Sequence, residues 1–600
     1  MKNNIKNITL SAATAMLTFS FTACSLEEEN PGGFTMETMA ENSLESYQTL
    51  VNQIYFGMER VLYGTDGFME FTEADTDLWT AKANVSSSNT HYFWFFGGGA
   101  PNTTYTNTIW NSIYDGIGSC NMAIQLADKA PFKTEADKNK KVAECRFMRA
   151  VYYFNAVEQF GGVTMLTKVS ESMDFSPTRT EPMTIYKEVI IPDLEFAAEW
   201  LDKGNDASTT RPTKKAAMGM LAKACLQTYE YGTTEYLQKA LDTAKALIAD
   251  CEAGGANYGA YMYPNFADVF AEANNFENKE ALWKHRWYSA DDGHGSSNGN
   301  YKLNRNDEKF LCALSHFGAR EDNQDTRLTW EGSCEGSFMP TQHLLSLFVQ
   351  DDGTLDPRFH ASFSTQWNAN KAFSWNEDIR NNFRKDASVV GNSIAVGELA
   401  VKIVVPGDAD YATEVANKAN SNYLLVDYKD VYDDAKRNVK MEYEGKENQF
   451  RYFYPSLSKH NSSRYYVANA SKKRNGNLNA TFIMRMSEVY LIAAEADLYL
   501  NGGANALGYI NKVRERAGAK LLSGTPTVRT ILDERGRELC GEYCRFYDLK
   551  RTGMYKSVTY LSETHPDLAQ YFKPEYALRP ISTTFTAGLN NGDEYQNPGY

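Results

Sequence analysis

Residues 138–160 read KNKKVAECRFMRAVYYFNAVEQF, and two glycines, Gly161 and Gly162, follow them directly. After Lys141, apolar residues occupy most faces of a helix with 3.6 residues per turn. A helix that is apolar on most faces is buried between its neighbours, and glycines commonly end helices. The stretch therefore predicts a long, buried helix inside a mainly helical protein.

Further segments with the same helical period lie on both sides of this stretch. They are 108–128, 185–201, 213–231 and 235–252, and near the C-terminus 483–500 and 505–517. We expect Pro192 to kink or split the helix over 185–201, and Thr233 or Thr234 to cap the helix over 235–252. Helices joined by short glycine turns are typical of helical-repeat scaffolds, although the tetratricopeptide consensus itself is absent.

The middle of the chain, residues 253–480, has a different composition. It is rich in Asn, Gly, Ser, Asp and aromatic residues and has few periodic runs, while residues 399–405 indicate a short strand. Long irregular segments within a compact protein are usually functional loops or packed lobes. We therefore expect residues 40–252 and 481–600 to form one helical scaffold that supports an irregular, ligand-binding lobe over 253–480.

The first 24 residues have the pattern of an export leader. Two lysines precede a moderately apolar run over 8–23, and small residues stand directly before Cys24. This resembles a bacterial lipobox with an acylated cysteine, although Phe21 stands where Leu is usual; the alternative is an ordinary signal peptide. We expect 1–23 to be a lipoprotein signal peptide, Cys24 the lipidated residue, and 24–39 a flexible acidic tether.

Charge and cysteine usage limit the function classes. The 600 residues include 61 Lys and Arg and 76 Asp and Glu, for a formal net charge of −15. Because proteins bind nucleic acid largely through Lys and Arg that neutralise phosphates, this balance argues against a nucleic-acid partner. The cysteines after Cys24 have no zinc-like spacing, and we expect them to be free, buried thiols.

Several segments, in a fixed order along nearly the whole chain, carry a resemblance to a known family. Besides the leader and tether, they are Trp110 with Tyr114 and Asn121, AECRFMRAVYYFNAVEQFGGV (143–163), TKKAAMGMLAKACL (213–226), GSFMPTQHLLSLF (336–348), RMSEVYLIAAEADLYLNG (485–502), INKVRERAG (510–518), ERGRELCGEYCRFYDLKRTG (534–553) and LRPIS (578–582). Together they resemble the SusD/RagB family of nutrient-binding outer-membrane lipoproteins. Cys145 and Cys225 stand where that family usually has Ala.

The resemblance implies a tetratricopeptide-like helical superhelix that carries a variable lobe. It implies capture of an oligosaccharide or polysaccharide, more rarely another nutrient, by a lipid-anchored protein exposed on the outer membrane. The implied partner is a SusC-like TonB-dependent transporter, over which the lipoprotein acts as a hinged lid. No catalysis, metal or cofactor is implied as required, although some relatives hold a structural calcium ion.

Sugar recognition combines aromatic rings, which stack on the apolar face of a pyranose, with planar groups that bond its hydroxyls. Two segments have this composition: SSSNTHYFWFFGGGAPN over 86–102 and WKHRWYSADDGHGSSNGNY over 283–301. We expect ligand contacts from Trp94, Trp287, Tyr92, Tyr288, Trp330, Trp367, Asn89, Asn298 and Asn300. Trp283 is expected to face inward, and the first segment could alternatively be an aromatic strand that plugs the scaffold.

Other function classes fit the sequence less well. A surface glycoside hydrolase needs two carboxylates about 5 to 10 Å apart, whereas Glu488 and Glu495, with arginines near them in sequence, favour structural ion pairs. No nucleophile-elbow, zinc-protease or P-loop motif is present. A protein-binding helical-repeat adaptor fits the scaffold but leaves the aromatic middle unexplained. We therefore predict a binding protein without catalytic residues.

Overall fold

The computed structural model describes residues 35–600 except 61, 64–65, 75, 82–102, 171, 205–208, 286–337, 370–371, 461–464, 470–471 and 478. The described chain is mainly helical, with short strands concentrated in its middle, as the sequence predicts. The first helix begins at Met36, close to the expected start of the folded part near residue 40. In the described part of the chain, no helix is both long and apolar enough to cross a membrane.

The N-terminal part consists of helices. They are α1 (Met36–Asn42), α2 (Leu44–Gln53), α3 (Phe56–Arg60), α4 (Asp66–Thr72), α5 (Thr103–Leu126), α6 (Glu135–Phe160), α7 (Pro182–Ile185), α8 (Ile191–Trp200), α9 (Lys214–Gln227) and α10 (Leu237–Glu252). Every residue of α6 from 147 to 160 is buried, which confirms the prediction from its sequence. Helix α6 packs against α5 and α8, and α9 packs against α10.

Two local predictions for this part have different outcomes. The helix over 185–201 is split, because a π-helical turn (Tyr186–Ile190) separates α7 from α8 and Pro192 lies in the first turn of α8, where its missing N–H is not needed. The predicted threonine cap of α10 is wrong. Tyr236 is the N-cap residue, and Thr234 contributes only its carbonyl oxygen, which accepts from the Leu237 N–H.

The middle part contains short helices and strands. Its helices are α11 (Phe266–Phe270), α12 (Glu272–Asn275), α13 (Gln342–Leu347), α14 (Arg358–Ser362), α15 (Glu377–Asn382), α16 (Tyr411–Asn417) and α17 (Tyr428–Val431). Strand β1 (Trp79–Ala81) lies earlier in the chain, between α4 and α5. The strands of the middle part are β2 (Ala281–His285), β3 (Phe338–Pro340), β4 (Phe363–Ser364), β5 (Gln366–Asn368), β6 (Phe373–Ser374), β7 (Ser393–Ile394), β8 (Leu399–Val404), β9 (Leu424–Asp427), β10 (Tyr432–Asp433), β11 (Asn438–Val439), β12 (Glu442–Tyr443), β13 (Lys446–Glu447), β14 (Ser456–Leu457), β15 (Tyr465–Asn469) and β16 (Lys472–Asn477). Strand β8 confirms the prediction over 399–405, and it pairs antiparallel with β5 and parallel with β9.

The C-terminal part returns to the helical scaffold. After β17 (Thr481–Arg485) come α18 (Met486–Asn501), α19 (Ala506–Arg516), α20 (Val528–Leu539), α21 (Arg545–Arg551), α22 (Val558–Thr564), α23 (Pro566–Ala569), α24 (Thr583–Thr586) and α25 (Gly592–Tyr595). The predicted helix over 483–500 is therefore wrong at its start, because residues 481–485 pair with β2 instead. Helix α18 packs against α10 and α19, so the two ends of the chain share one scaffold.

Helix α5 approaches α6 closely at a glycine. A Cβ atom added at Gly116 would fall on the ring of Tyr152 in α6. That ring is held in place, because the Tyr152 hydroxyl donates to the Ile54 carbonyl oxygen at 2.6 Å and accepts from the Met58 N–H at 3.1 Å. Around Gly118, two residues further along α5, the described structure has no atom within 4 Å of an added Cβ.

This contrast gives a matched pair of substitutions in one helix. We expect Gly116→Ala to lower the free energy of unfolding by about 1–3 kcal/mol, because the added methyl group displaces a doubly bonded ring. Gly118→Ala should instead raise it by about 0.5–1 kcal/mol, through lower backbone entropy of the unfolded chain. Urea denaturation of both variants measures the difference. Equal stability of the two variants would contradict the close packing at Gly116.

Candidate functional site

Residues 82–102 and 286–337, which contain most of the two aromatic segments, are flanked by one pair of strands. Strand β1 immediately precedes residues 82–102, and β3 immediately follows residues 286–337. The antiparallel register places Ala81 opposite Phe338. The described chain thus stops before residues 82–102 and resumes after residues 286–337 at neighbouring positions of one strand pair.

A second pair of strands, β2 and β17, contains the residues directly before 286–337. Residues 286–337 begin after His285, the last residue of β2, which is opposite Thr481 of β17. Aromatic contacts connect this pair to the first one. The Trp79 ring of β1 lies 6.4 Å from the Phe363 ring of β4, and β4 pairs with β14. Three residues after β14, the His460 ring lies 4.6 Å from the Phe482 ring of β17.

Most of the predicted ligand-binding residues lie outside the described residues. These are Asn89, Tyr92 and Trp94 in 82–102, and Trp287, Tyr288, Asn298, Asn300 and Trp330 in 286–337. The predicted lipidation site, Cys24, also lies outside the described residues. Trp367 lies in β5 opposite Val401, with only 7% of its surface exposed. Its ring packs in the core of the lobe, which leaves little of its face for a sugar.

Trp283 faces inward, as the sequence predicts. It has 2% of its surface exposed, and its indole N–H donates to the Thr210 carbonyl oxygen at 3.1 Å. Its ring meets Phe147 of α6 edge to face, with 4.9 Å between the ring centroids. Strand β2 is thus packed directly onto the central helix of the scaffold.

Buried charges fix the position of β1. Glu73 accepts hydrogen bonds from the Trp79 indole at 3.1 Å and from the Cys544 N–H at 3.1 Å. Asp77 accepts two from the Arg545 guanidinium, at 2.7 and 2.6 Å. Burial alone raises the pKa of Asp77, but the charge and hydrogen bonds of Arg545 outweigh it and hold that pKa well below its usual range. Residues before β1 are therefore bonded to the chain around α21.

A second set of buried charges fixes β17. The Arg485 guanidinium contacts Glu538 at 2.6 Å, Glu542 at 2.7 Å and Glu280, just before β2, at 3.2 Å. Burial raises the pKa of Glu542, but the charges of Arg485 and Lys459 outweigh it and lower the pKa to about 2. Both strand pairs that flank the aromatic segments are thus held by ion pairs with the C-terminal part.

Glu488 and Glu495, the acidic residues that a hydrolase could use, form ion pairs with basic side chains. Glu488 contacts Arg535 and Lys223, each at 3.1 Å, and Glu495 is bonded to Arg551 at 2.7 Å. Ion pairing of these residues agrees with the interpretation of the sequence. Among the described residues, no group of three or more His, Cys, Asp and Glu side chains could hold a metal ion. Six described cysteines are free, and burial raises the pKa of Cys540 to about 11.

Comparison with known proteins agrees with this architecture. The model of the SusD family matches residues 279–600. This chain belongs to the SusD family. A second model, described as starch-binding and associating with the outer membrane, matches residues 26–226. The two matches together cover most of the helical scaffold and most of the lobe, while residues 227–278, which include α10, lie outside both.

Relatives of this SusD-family chain match parts of it. A SusD-like protein of Formosa agariphila is 48% identical over 83 residues, which are 13% of this chain and 16% of the relative. A SusD-like protein of Bacteroides ovatus is 26% identical over 452 residues, 73% of this chain and 64% of the relative. In both, the match covers less than two thirds of the relative's length.

Solved structures show the same fold. A laminarin-binding SusD-like protein superposes with a TM-score of 0.59 and 20% sequence identity, over 93% of this chain and 100% of that chain. A SusD homologue of Bacteroides thetaiotaomicron gives a TM-score of 0.64 and 18% identity, over 94% and 98%. The SusD-family fold is therefore shared over nearly the whole chain, while the sequence has diverged widely.

Buried histidines at the flanks of the aromatic segments are sensitive to acid. The His460 ring lies between Phe270 and Phe482, at 5.3 and 4.6 Å, and burial lowers its pKa to about 4. Burial also lowers the pKa of His285, at the end of β2, to about 4. Above pH 6.5 both rings are neutral in the folded and the unfolded chain. Between pH 6.5 and about 4, these two histidines bind protons in the unfolded chain but not in the folded chain.

Stability should therefore decrease as the pH falls from about 6.5 to about 4, by up to about 3 kcal/mol for each of these two histidines. We expect His460→Phe to make this decrease shallower, because phenylalanine binds no proton. Urea denaturation at several pH values measures the slope for each variant. His360→Gln is the control, since that side chain is exposed. A slope for His460→Phe as steep as that of the unsubstituted chain would contradict the assignment.

Proposed function

We propose that this protein is a cell-surface glycan-binding lipoprotein, anchored in the outer membrane through Cys24. It captures an oligosaccharide or polysaccharide and delivers it to a SusC-like TonB-dependent transporter, over which it acts as a lid. The observation that carries the proposal is the pairing of β1 with β3, at which the chain before residues 82–102 lies beside the chain after residues 286–337. Membership of the SusD family and likeness to a laminarin-binding structure support it.

Within these segments we propose Trp94, Trp287, Tyr92, Tyr288 and Trp330 as the stacking residues. Asn89, Asn298 and Asn300 are proposed to bond sugar hydroxyls, since amides both donate and accept. Substrate capture requires no bond to break, so this proposal assigns no catalytic residue. Among the buried carboxylates described above, Asp77, Glu488 and Glu538 are paired with arginine, which fits a binding protein.

Binding can be tested by isothermal titration of the detergent-solubilised full chain against laminarin, starch and other soluble polysaccharides. We expect Trp94→Ala and Trp287→Ala each to weaken binding of the active glycan by about tenfold or more, as loss of a central aromatic contact does. Tyr571→Ala is the control, because that ring is 42% exposed and lies outside both segments. Reducing-end assays on the same mixtures should show no product.

Release of reducing ends would favour a hydrolase. Binding that is unchanged in both tryptophan variants would place the site elsewhere in the lobe. Failure of every glycan to bind, together with capture of peptides, would favour a protein-binding adaptor.

The anchor and the transporter partner can be tested in one purification. A C-terminally tagged chain, solubilised from outer membranes, should carry fatty acyl chains on Cys24 and elute together with a TonB-dependent β-barrel. Cys24→Ser should lose the acyl chains and the membrane association, since a thioether to lipid cannot form on serine. Mass spectrometry of the eluted proteins measures both. A chain that keeps its leader, or that elutes without any barrel, would contradict the corresponding half of the proposal.

A further inference from the structure

A cavity of about 400 Å³ opens beside β2, away from the junction of β1 and β3. It is bounded by the start of α9, the chain that follows α10, and β2 itself. Its charged lining residues are Lys203, Arg211, Lys215, Lys279 and Lys284. Among the described residues, no Asp or Glu lines the cavity. This concentration of positive charge contrasts with the net charge of −15 of the whole chain.

Three of these lysines are not neutralised by carboxylates. The Lys215 ammonium donates to the Gly259 and Lys279 carbonyl oxygens at 3.2 and 3.0 Å, and the Lys203 ammonium donates to the Ala256 carbonyl oxygen at 2.9 Å. Carbonyl oxygens fix the positions of these ammonium groups without removing their charge. In the described part of the chain, Lys203, Lys215 and Lys279 have no carboxylate oxygen within 4.0 Å. Burial lowers the pKa of Lys215 to about 8, although Cys251, Asp250 and Glu280 nearby act in the opposite direction.

The cavity also contains hydrogen-bond donors suited to an anion. The Thr213 hydroxyl is buried and has no hydrogen-bond partner among the described residues. Thr213 is the N-cap residue of α9, and its side chain makes no capping bond there within the described structure. The 14-residue helix adds positive potential at this end, because its first N–H groups point outward.

The remaining wall is aromatic and backbone. Trp283 and Tyr261 line the cavity, and the Lys279 ammonium lies 5.9 Å from the Tyr261 ring centroid. Gly255 has a positive φ of 75°, and an added Cβ there would lie 2.7 Å from the Ala260 carbonyl oxygen. Two stretches of backbone in this wall, at Gly255 and Ala260, therefore lie too close together for a side chain at residue 255.

We propose that this cavity binds a small ligand through an oxyanion group, that is, a carboxylate, sulfate or phosphate. Two sources share this chemistry: an acidic sugar residue, whose ring would meet Tyr261, and a free inorganic anion. Only the acidic-sugar source rests on the proposed glycan-binding function. Anion binding depends on the lysines and not on the aromatic segments.

The test is isothermal titration of the full chain with sodium sulfate, galacturonate and galactose at constant ionic strength. We expect galacturonate or sulfate to bind and galactose to give no signal from this cavity. The double variant Lys203→Gln/Lys279→Gln should weaken anion binding about tenfold or more, and because both side chains are exposed the variant should fold normally. Lys215→Gln serves as a second variant, and Lys512→Gln, an exposed lysine outside the cavity, as the control.

The outcomes separate this inference from the proposed function. Anion binding that is lost in the double variant and kept in Trp94→Ala supports the cavity site, and the stronger of the two anions identifies the source. Absence of binding by both anions, equal binding of galactose, or unchanged affinity in both lysine variants would overturn it. Glycan binding that depends on Trp94 is unaffected by those results, so either proposal can fail alone.

Discussion

A buried network of arginine and glutamate side chains joins the C-terminal helices to the lobe, and the positions of the flanking strands depend on it. Glu538 of α20 is its centre, because Arg358 of the lobe, Arg485 of β17 and Arg516 of α19 all contact it. Glu538, Arg358 and Arg485 have no solvent-exposed surface. Removal of one partner from such a pair leaves an uncompensated buried charge, which costs about 3–5 kcal/mol.

This network explains how a chain with an irregular middle can hold a defined site. The described part of the lobe has little regular secondary structure to fix its place, and its strands pair in small sets. Ion pairs with fixed geometry supply the missing constraint at the residues where the aromatic segments begin and end. Segments placed on such a frame can vary in sequence without loss of the fold, which is the usual relation between a rigid scaffold and its binding loops.

The helices could be predicted from the sequence because their signal is local. The apolar pattern of α6 lies within 26 consecutive residues, and the inward orientation of Trp283 follows from its neighbours. The predicted helix begins at residue 483, inside β17, because the partner strand β2 lies about 200 residues earlier and TFIMR has no polar alternation to reveal a strand. The burial of Trp367 could not be predicted for the same reason, because Val401, which lies opposite it, belongs to another strand. The junction of Ala81 with Phe338 likewise depends on a pairing between distant segments, which periodicity does not contain.

The basic cavity could not be predicted from the sequence for a related reason. The charges close to the cavity, and not the net charge of the chain, determine its electrostatic potential. Its cations come from two separate segments, 203–215 and 279–284, so no charge run marks them in a chain whose overall charge is negative. At physiological ionic strength, charges further apart than about 8 Å are largely screened, so the negative surface has little effect inside the cavity. An anion there interacts mainly with lysines within a few ångströms. The net charge of the chain therefore has little influence on anion affinity, which is decided by the few cations that line the cavity.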